Sequence, residues 1–297
     1  MSKASPSAVG VDIGGTRVKS VLIDHEGAIL CDDERDSVEG SEAFITLVKS
    51  ILADLEVGAA LPVGISCPGL AQRDHQAIAR MPGRMAGLEG LAFRDAIGRE
   101  TFVLNDAHAA TIGEVVSGAA AGKKTVVMLT LGTGVGGGVV IDGRLFIGAH
   151  GRAGHLGHMT VNAAGSPDIC NMPGSIEDAI GNHSVQARSG GQFASTRELI
   201  DAVRSGDAGA ASIWQQSIDA LAVTVASLVN VFDPEAVVIG GGIAAAGPVL
   251  FEPLAKALDR VEWRPLGEAV PILPAALGVQ AGALGAALFA CHPELRP

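Results

Sequence analysis

Apolar residues near the start of the chain fall in strand-length runs broken by glycine. "VGVDIG" and "VKSVLID" are rich in β-branched residues, and a His25-Glu26-Gly27 turn leads into a third run, "AILCDD". The order recurs in "TVVMLTLGTGVGGGVVIDGRLFIG": a strand ending at Leu131, a Gly-Thr-Gly turn, a strand ending Ile141-Asp142, a turn at Asp142-Gly143, then "RLFIG". A matched three-strand meander at the head of each half predicts a duplicated plan.

Helix and strand signals alternate behind each meander. Phe44, Leu47, Val48, Ile51, Leu52 and Leu55 recur at helical spacing. The strand "PVGIS", a loop through Arg84, a helix near "FRDAIG", the strand "TFVLND" and the helix "AHAATIGEVVSG" follow. In the second half a long helix around "SIWQQSIDALAVTVASLVNVF" leads into the strand "AVVIGGG". The fold class expected is α/β, with mixed sheets flanked by helices. The small, unpatterned "SGAAAGKK" predicts a boundary, giving an N-terminal lobe over 1–118 and a C-terminal lobe over 119–297. Whether a last helix over about 279–292 stays with the second lobe or packs back on the first is left open by the pattern.

Composition narrows the class. The 297 residues are 48% hydrophobic and 18% charged, as in a globular protein, and 40 glycines imply tight turns and close backbone approaches. A net charge of -11, with no Lys/Arg cluster, argues against a nucleic-acid partner. Cys31, Cys67, Cys170 and Cys291 are scattered and form no disulfide framework. No apolar run reaches the ~20 residues of a membrane span, so a soluble, cytoplasmic protein is expected.

The candidate chemistry lies at the two glycine turns. Backbone N–H groups at such a turn can form a nest for an anion, and glycine lets a phosphate approach without a Cβ in the way. Gly14, Gly15 and Thr16 supply this in the first half; Gly132, Thr133, Gly134 and Gly136 supply it in the second. Asp12 ends its strand at the first turn with Lys19 close behind, and a carboxylate beside phosphates calls for a cation such as Mg²⁺. "GTGVGG" matches the dinucleotide fingerprint in form, but a strand follows it where that fingerprint needs a helix. "GAAAGKKT" falls one spacer short of a P-loop. Either turn alone reads sooner as a plain hairpin; the matched pair, one flanked by Asp12 and Lys19, reverses this in favour of phosphate. In "FVLNDAHAA", Asn105-Asp106 sits where a strand yields to a helix, as a helix cap or as a catalytic pair.

The ordered set "DIGGTRVK", "LNDAHAATIGE", "LGTGVGGG", "AGHLGHM", "GSIED" and "VVIGGGIA" resembles the repressor–ORF–kinase (ROK) family of sugar kinases, in the actin/hexokinase-like superfamily, over nearly the whole chain. The resemblance implies two ribonuclease-H-like lobes, ATP and Mg²⁺, and phosphorylation of a hexose or N-acetylhexosamine, usually at the 6-hydroxyl. It makes Asp106 the general base, with Asn105 on a sugar hydroxyl, and places Gly240, Gly241 and Gly242 against the adenosine. Gly69, His158 and Glu177 match further sugar contacts, and a homodimer is implied by analogy. His75, His108, His150 and His183 are read as packing histidines.

Two departures stand out. His155 occupies the place of a family glutamate that accepts hydrogen bonds from sugar hydroxyls, which changes the substrate code. The family's three-cysteine zinc loop aligns with "DICNMPGSIE", where Asp168 and Ser175 replace two cysteines and Cys170 survives. No conventional zinc site is expected; an unusual site from His158, Asp168 and Cys170, or a hydrogen bond between His158 and Asp168, are the alternatives. An ATP-dependent, glucokinase-like kinase is the leading expectation, with polyphosphate as another donor. A sugar-binding relative without kinase activity competes with it. A repressor would carry a winged helix ahead of Asp12, where this acidic chain has only a short segment.

Overall fold

The computed structural model describes residues 5–55, 61–81 and 87–297; the loop expected through Arg84 lies outside them. Residues 1–124, 138–154 and 276–297 form one compact unit, and residues 125–137 and 155–275 a second.

The first unit is built on β1 (Pro6–Ile13), β2 (Arg17–Asp24) and β3 (Ile29–Asp36), an antiparallel meander in which Asp12 pairs with Lys19. β4 (Val63–Cys67) runs parallel to β1 and β7 (Thr101–Asn105) parallel to β4, giving the order β3-β2-β1-β4-β7. β4 and β7 are buried throughout, as expected of parallel strands covered on both faces. One cover is α1 (Ser41–Asp54), whose Phe44, Val48, Ile51 and Leu52 are buried, with α2 (Phe93–Ile97) beside it. β5 (Leu70–Ala71) and β6 (Ile78–Arg80) form a small antiparallel pair.

The other cover is α3 (Asp106–Val116) with α9 (Ala281–Cys291), the last α-helix, which packs on β1, β4 and α3. Its composition, rich in alanine and glycine, has a steric reason. A Cβ on Gly10 would stand 1.8 Å from the Ala283 carbonyl oxygen, and one on Gly64 would stand 1.9 Å from that of Ala286. Helix backbone thus lies directly on strand backbone. The buried Glu114 of α3 accepts the N–H groups of Ala119, Ala276 and Leu277, pinning the chain where it returns to this unit.

The compact units therefore do not follow a single cut at residue 118. Residues 276–297 join the first because α9 covers its sheet. Residues 138–154 join it because Gly138 lies against Thr111 and the His108 ring bonds the Ala153 carbonyl.

The second sheet has the order β10-β9-β8-β11-β12, from β8 (Val126–Leu131), β9 (Val135–Ile141), β10 (Arg144–Leu145), β11 (Ala236–Gly240) and β12 (Ile272–Pro274). β8 and β12 are each parallel to β11. The expected third strand, "RLFIG", is ordered as strand over two residues alone. In the second unit, α4 (Ile176–Ile180), α5 (Val185–Arg188) and α6 (Thr196–Arg204) precede α7 (Ala208–Phe232) and α8 (Pro248–Val261). α7 begins at Asp207, whose side chain accepts the Ala210 N–H, and ends at Asp233 in the left-handed region, just before Pro234. Among the described residues, no helix is long and apolar enough to cross a membrane. The four cysteines are free.

Candidate active site

In the first unit the chemistry collects at the carboxyl ends of β1, β4 and β7, where side chains leave a parallel sheet beside helix N-termini. Asp12 ends β1, and the Ser66 hydroxyl of the adjacent β4 donates to its Oδ1. Burial pushes the Asp12 pKa up, against the lowering effects of Ser66 and of Lys19 across the strand pair. Lys19 also points its Nζ at the Val279 carbonyl, 3.5 Å away. A half-buried carboxylate whose charge is opposed by its surroundings suits a cation, and Asp12 fits the Mg²⁺ expected beside it.

The Asn105-Asp106 pair divides its labour. Asn105 is the cap: its Oδ1 accepts from Ala107 N at 3.0 Å and His108 N at 3.3 Å, while its Nδ2 donates to the Gly69 carbonyl at 2.8 Å. Its polar atoms therefore fasten α3 to the loop at Gly69, and that bond is how Gly69 enters the site. Asp106 is relieved of capping and stands as the first residue of the helix, with Oδ1 taking the Ala107 N–H at 2.8 Å. The surface of Asp106 is open to solvent, yet protein surrounds it as densely as an interior site. Access decides that a small molecule can reach it. Crowding sets the direction of its pKa, which desolvation, aided by the charge of Asp12, raises to about 6.

The first glycine turn is closed by Gly14 N donating to the Arg17 carbonyl at 2.9 Å, with Gly15 and Thr16 exposed at its tip. In the second unit, Gly132 N donates to the Gly134 carbonyl at 2.9 Å. Gly136 lies within β9, outside the turn. A short downstream segment grips this turn. Asn182 N bonds the Gly132 carbonyl; His183 bonds the Thr133 carbonyl through both its N–H and its Nδ1; and Glu177 Oε2 accepts from Val135 N at 2.9 Å. His183, read from sequence as mere packing, is thus a turn-holding residue. Burial lowers its pKa, but the bonds to Asp178 and Thr133 outweigh that and the net shift is upward. Glu177, expected on the sugar, has its carboxylate against Gly134.

A cavity of about 490 Å³ adjoins this turn, lined among others by Gly132, Thr133, Asn182, Thr196, Arg204 and Gly242. Its volume is that of a small-molecule site. Cβ atoms placed on Gly132 or Gly242 would meet nothing within 4 Å, so both leave room for a ligand. Thr196 Oγ1 is buried without a hydrogen-bond partner among the described residues. Arg204 bonds Asp201 and the Ala246 carbonyl, tying two walls together. The three glycines at β11 differ in function: Gly240 ends the strand, Gly242 lines the cavity, and Gly241 turns the chain at φ +85 where a Cβ would lie 2.3 Å from the Leu131 carbonyl oxygen. Asn182, Thr196 and Arg204 escaped the sequence reading because no periodicity or motif marks them.

Among the described residues the zinc loop brings three candidate ligands together, atoms of His158, Asp168 and Cys170 coming within 4.8 Å of one another, where structural zinc takes four. Ser175, the remaining aligned position, is buried and its Oγ caps α4 by accepting the Asp178 N–H. Both Asp168 oxygens are engaged within the loop, and His158 offers opposite ring nitrogens to Asp168 and Cys170. His155 precedes the short turn bearing His158, and burial followed by the charge of His158 lowers its pKa.

Two α/β units, each holding a strand–glycine turn–strand device, define a protein of the actin/hexokinase-like class. The chain belongs to the ROK family, whose profile matches residues 8–292. It is 34% identical to a glucokinase of Thermotoga maritima, over 94% of this chain and 95% of that protein. A ROK hexokinase of Thermus thermophilus superposes with a TM-score of 0.85 at 32% identity, covering 95% of this chain and 97% of that one. A ROK family glucokinase of Streptomyces griseus, solved with glucose and AMPPNP, superposes with a TM-score of 0.77 at 27% identity, covering 96% and 99%. These relatives support a sugar kinase, within a family that also includes repressors.

Proposed function

We propose that this protein is an ATP-dependent hexose kinase of glucokinase type that phosphorylates the 6-hydroxyl, with Asp106 as general base. The observation that carries the reading is Asp106 itself: solvent-accessible, freed from capping by Asn105, and shifted toward a pKa of about 6. An ordinary carboxylate is a weak base, and raising its pKa increases its pull on a proton while leaving it ionised at neutral pH. In the proposed step Asp106 accepts the hydroxyl proton as the sugar oxygen bonds to the γ-phosphorus and the bond from that phosphorus to ADP breaks. Asp12 would hold Mg²⁺, which when bound supplies charge neutralisation at the phosphates. The N–H groups of Gly14 to Thr16 and of Gly132 to Gly134 would cradle phosphate oxygens, and the cavity at Gly242 would take the adenosine. The glucokinase likenesses, one of them with glucose and AMPPNP, support both substrates.

His155 is proposed as the residue that sets sugar choice, because a neutral imidazole offers at most one acceptor where a carboxylate offers several. A homodimer in the cytoplasm, with neither nucleic acid nor membrane as partner, is proposed by analogy.

An ADP-release assay tests the reading on glucose, mannose, fructose, allose, N-acetylhexosamines and gluconate, with polyphosphate as a second donor. Turnover on a hexose with ATP is expected, and Asp106→Asn should lower kcat by about 10²–10⁴ with little change in either KM. ATP binding without turnover on any sugar would instead favour a non-catalytic sugar-binding relative.

A further inference from the structure

The loop that carries His158 is organised around one carboxylate. The Asp168 side chain is 1% exposed; its Oδ1 accepts the N–H groups of Cys170 at 2.8 Å and Met172 at 3.0 Å, and its Oδ2 takes His158 Nδ1 at 2.8 Å. The backbone closes the same turn, with Asp168 N on the Met172 carbonyl, Asn171 N on the Asp168 carbonyl, and Asn171 at φ 63. The carboxylate is sealed by its own loop while little else of the molecule packs around it. Burial pushes its pKa up, but the His158 bond and the loop N–H groups outweigh that and keep it ionised.

An ionised carboxylate can only accept, so the nitrogen facing it carries the proton. The neutral His158 ring is therefore the Nδ1–H tautomer, and its Nε2, 3.5 Å from Cys170 Sγ, is a lone pair. A metal ion would do the reverse. Coordination consumes a lone pair, so a metallated imidazole keeps its proton on the other nitrogen and presents a donor. Replacing the metal by Asp168 thus inverts the polarity of the imidazole edge that faces the Cys170 thiol.

We propose that Asp168 is a positioning residue that takes the place of a structural metal in this loop and fixes His158 as a hydrogen-bond acceptor. The group meeting Nε2 is the Cys170 thiol, which can donate its S–H to that lone pair, so the Asp168–His158–Cys170 chain is closed within the loop.

The test uses full-length protein with ¹⁵N-labelled histidine, near pH 8, above imidazole's ordinary pKa of about 6.5. Two-bond ¹H–¹⁵N correlation reports the tautomer, and the His158 signals are assigned by their loss in His158→Gln. The Nδ1–H tautomer is expected, unchanged by EDTA, in protein lacking stoichiometric zinc by elemental analysis. Asp168→Asn keeps an oxygen for the Cys170 and Met172 N–H groups but turns an amide donor toward the ring. It should switch His158 to the Nε2–H tautomer, so that the ring donates where it had accepted, and leave the ATP KM within about twofold. An Nε2–H tautomer in the unmodified protein, one zinc per chain whose removal shifts the His158 signals, or an unaltered tautomer in Asp168→Asn would each overturn the proposal. Should Asp168→Asn fail to fold, the unmodified protein with and without chelator still decides. The expected tautomer in a protein without kinase activity would sink the functional reading and leave this assignment standing.

Discussion

The two glycine turns look interchangeable in sequence and are held by different means. The first is closed within itself: Gly14 N meets the Arg17 carbonyl, and the neighbour a Gly14 Cβ would strike is that same oxygen, 2.6 Å away. The second is held from outside, by Glu177, Asn182 and His183. On the Cβ side of its first glycine, Gly132, there is open space. One turn is thus a local hairpin whose shape comes with its strands. The other depends on a segment that arrives some forty residues later in the chain, so its shape can be altered without touching it.

Alanine substitutions give the sharpest break between them. Gly14→Ala should force open the closing bond, lowering kcat/KM by about 100-fold together with the melting temperature, since a clash with backbone of this kind costs on the order of 1–3 kcal/mol. Gly132→Ala should melt as the unmodified protein does, because its methyl meets no protein atom, yet raise the ATP KM by about tenfold by occupying ligand space. Thermal melts beside ATP titrations check both. Equal loss of stability in the two variants would erase the distinction.

pH provides a milder probe. Asp106 must be ionised to act, so activity should fall below about pH 6, where an unshifted aspartate would hold to roughly pH 4. That limb belongs to the first unit. His183 in the second has its pKa raised above the ordinary histidine value. Its added hold on the Thr133 carbonyl is therefore complete below about pH 6.5 and is lost as pH rises through the shifted value. The ATP KM should climb about threefold across that alkaline range. His183→Gln should flatten the climb and spare the acid limb. If one substitution moved both limbs, the two regions would not be separately controlled.

What the chain disclosed beforehand follows the same division. β1, β2, β4, β7 and α1 were legible because local alternation, helical spacing and glycine punctuation report local structure. The helix α9 was visible as an apolar run, but not its destination. It is buried on nearly every side, so no polar stripe told which layer it faced. The pairing of Asn105 as cap with Asp106 left free was half legible, since both residues cap well and geometry alone chose between them. His183 and Asn182 sit in a short 3₁₀ turn without periodicity, and their importance arises wholly from a long-range return to Gly132 and Thr133. Glu177 was found by motif, yet its hold on Val135 N came from the fold.

The smallest expected effect concerns the cation nearest the first turn. In "GGTRVK", Arg17 precedes Lys19, and proximity alone would nominate it as a phosphate ligand. The structure instead commits its guanidinium to β3, with Nε on Glu34 at 2.8 Å and another nitrogen on Asp36. A solvent-exposed fork of this kind is screened by water and holds little energy. Lys19 differs: it stands opposite Asp12 in the strand pair and offsets the burial of that carboxylate. Arg17→Ala should therefore leave the melting temperature and, within about twofold, the ATP KM unchanged. Lys19→Ala should raise that KM severalfold by weakening the ionised form of Asp12. A large loss on Arg17→Ala would mean that the arginine leaves β3 when phosphate arrives, and that the first turn, like the second, borrows a side chain to complete itself.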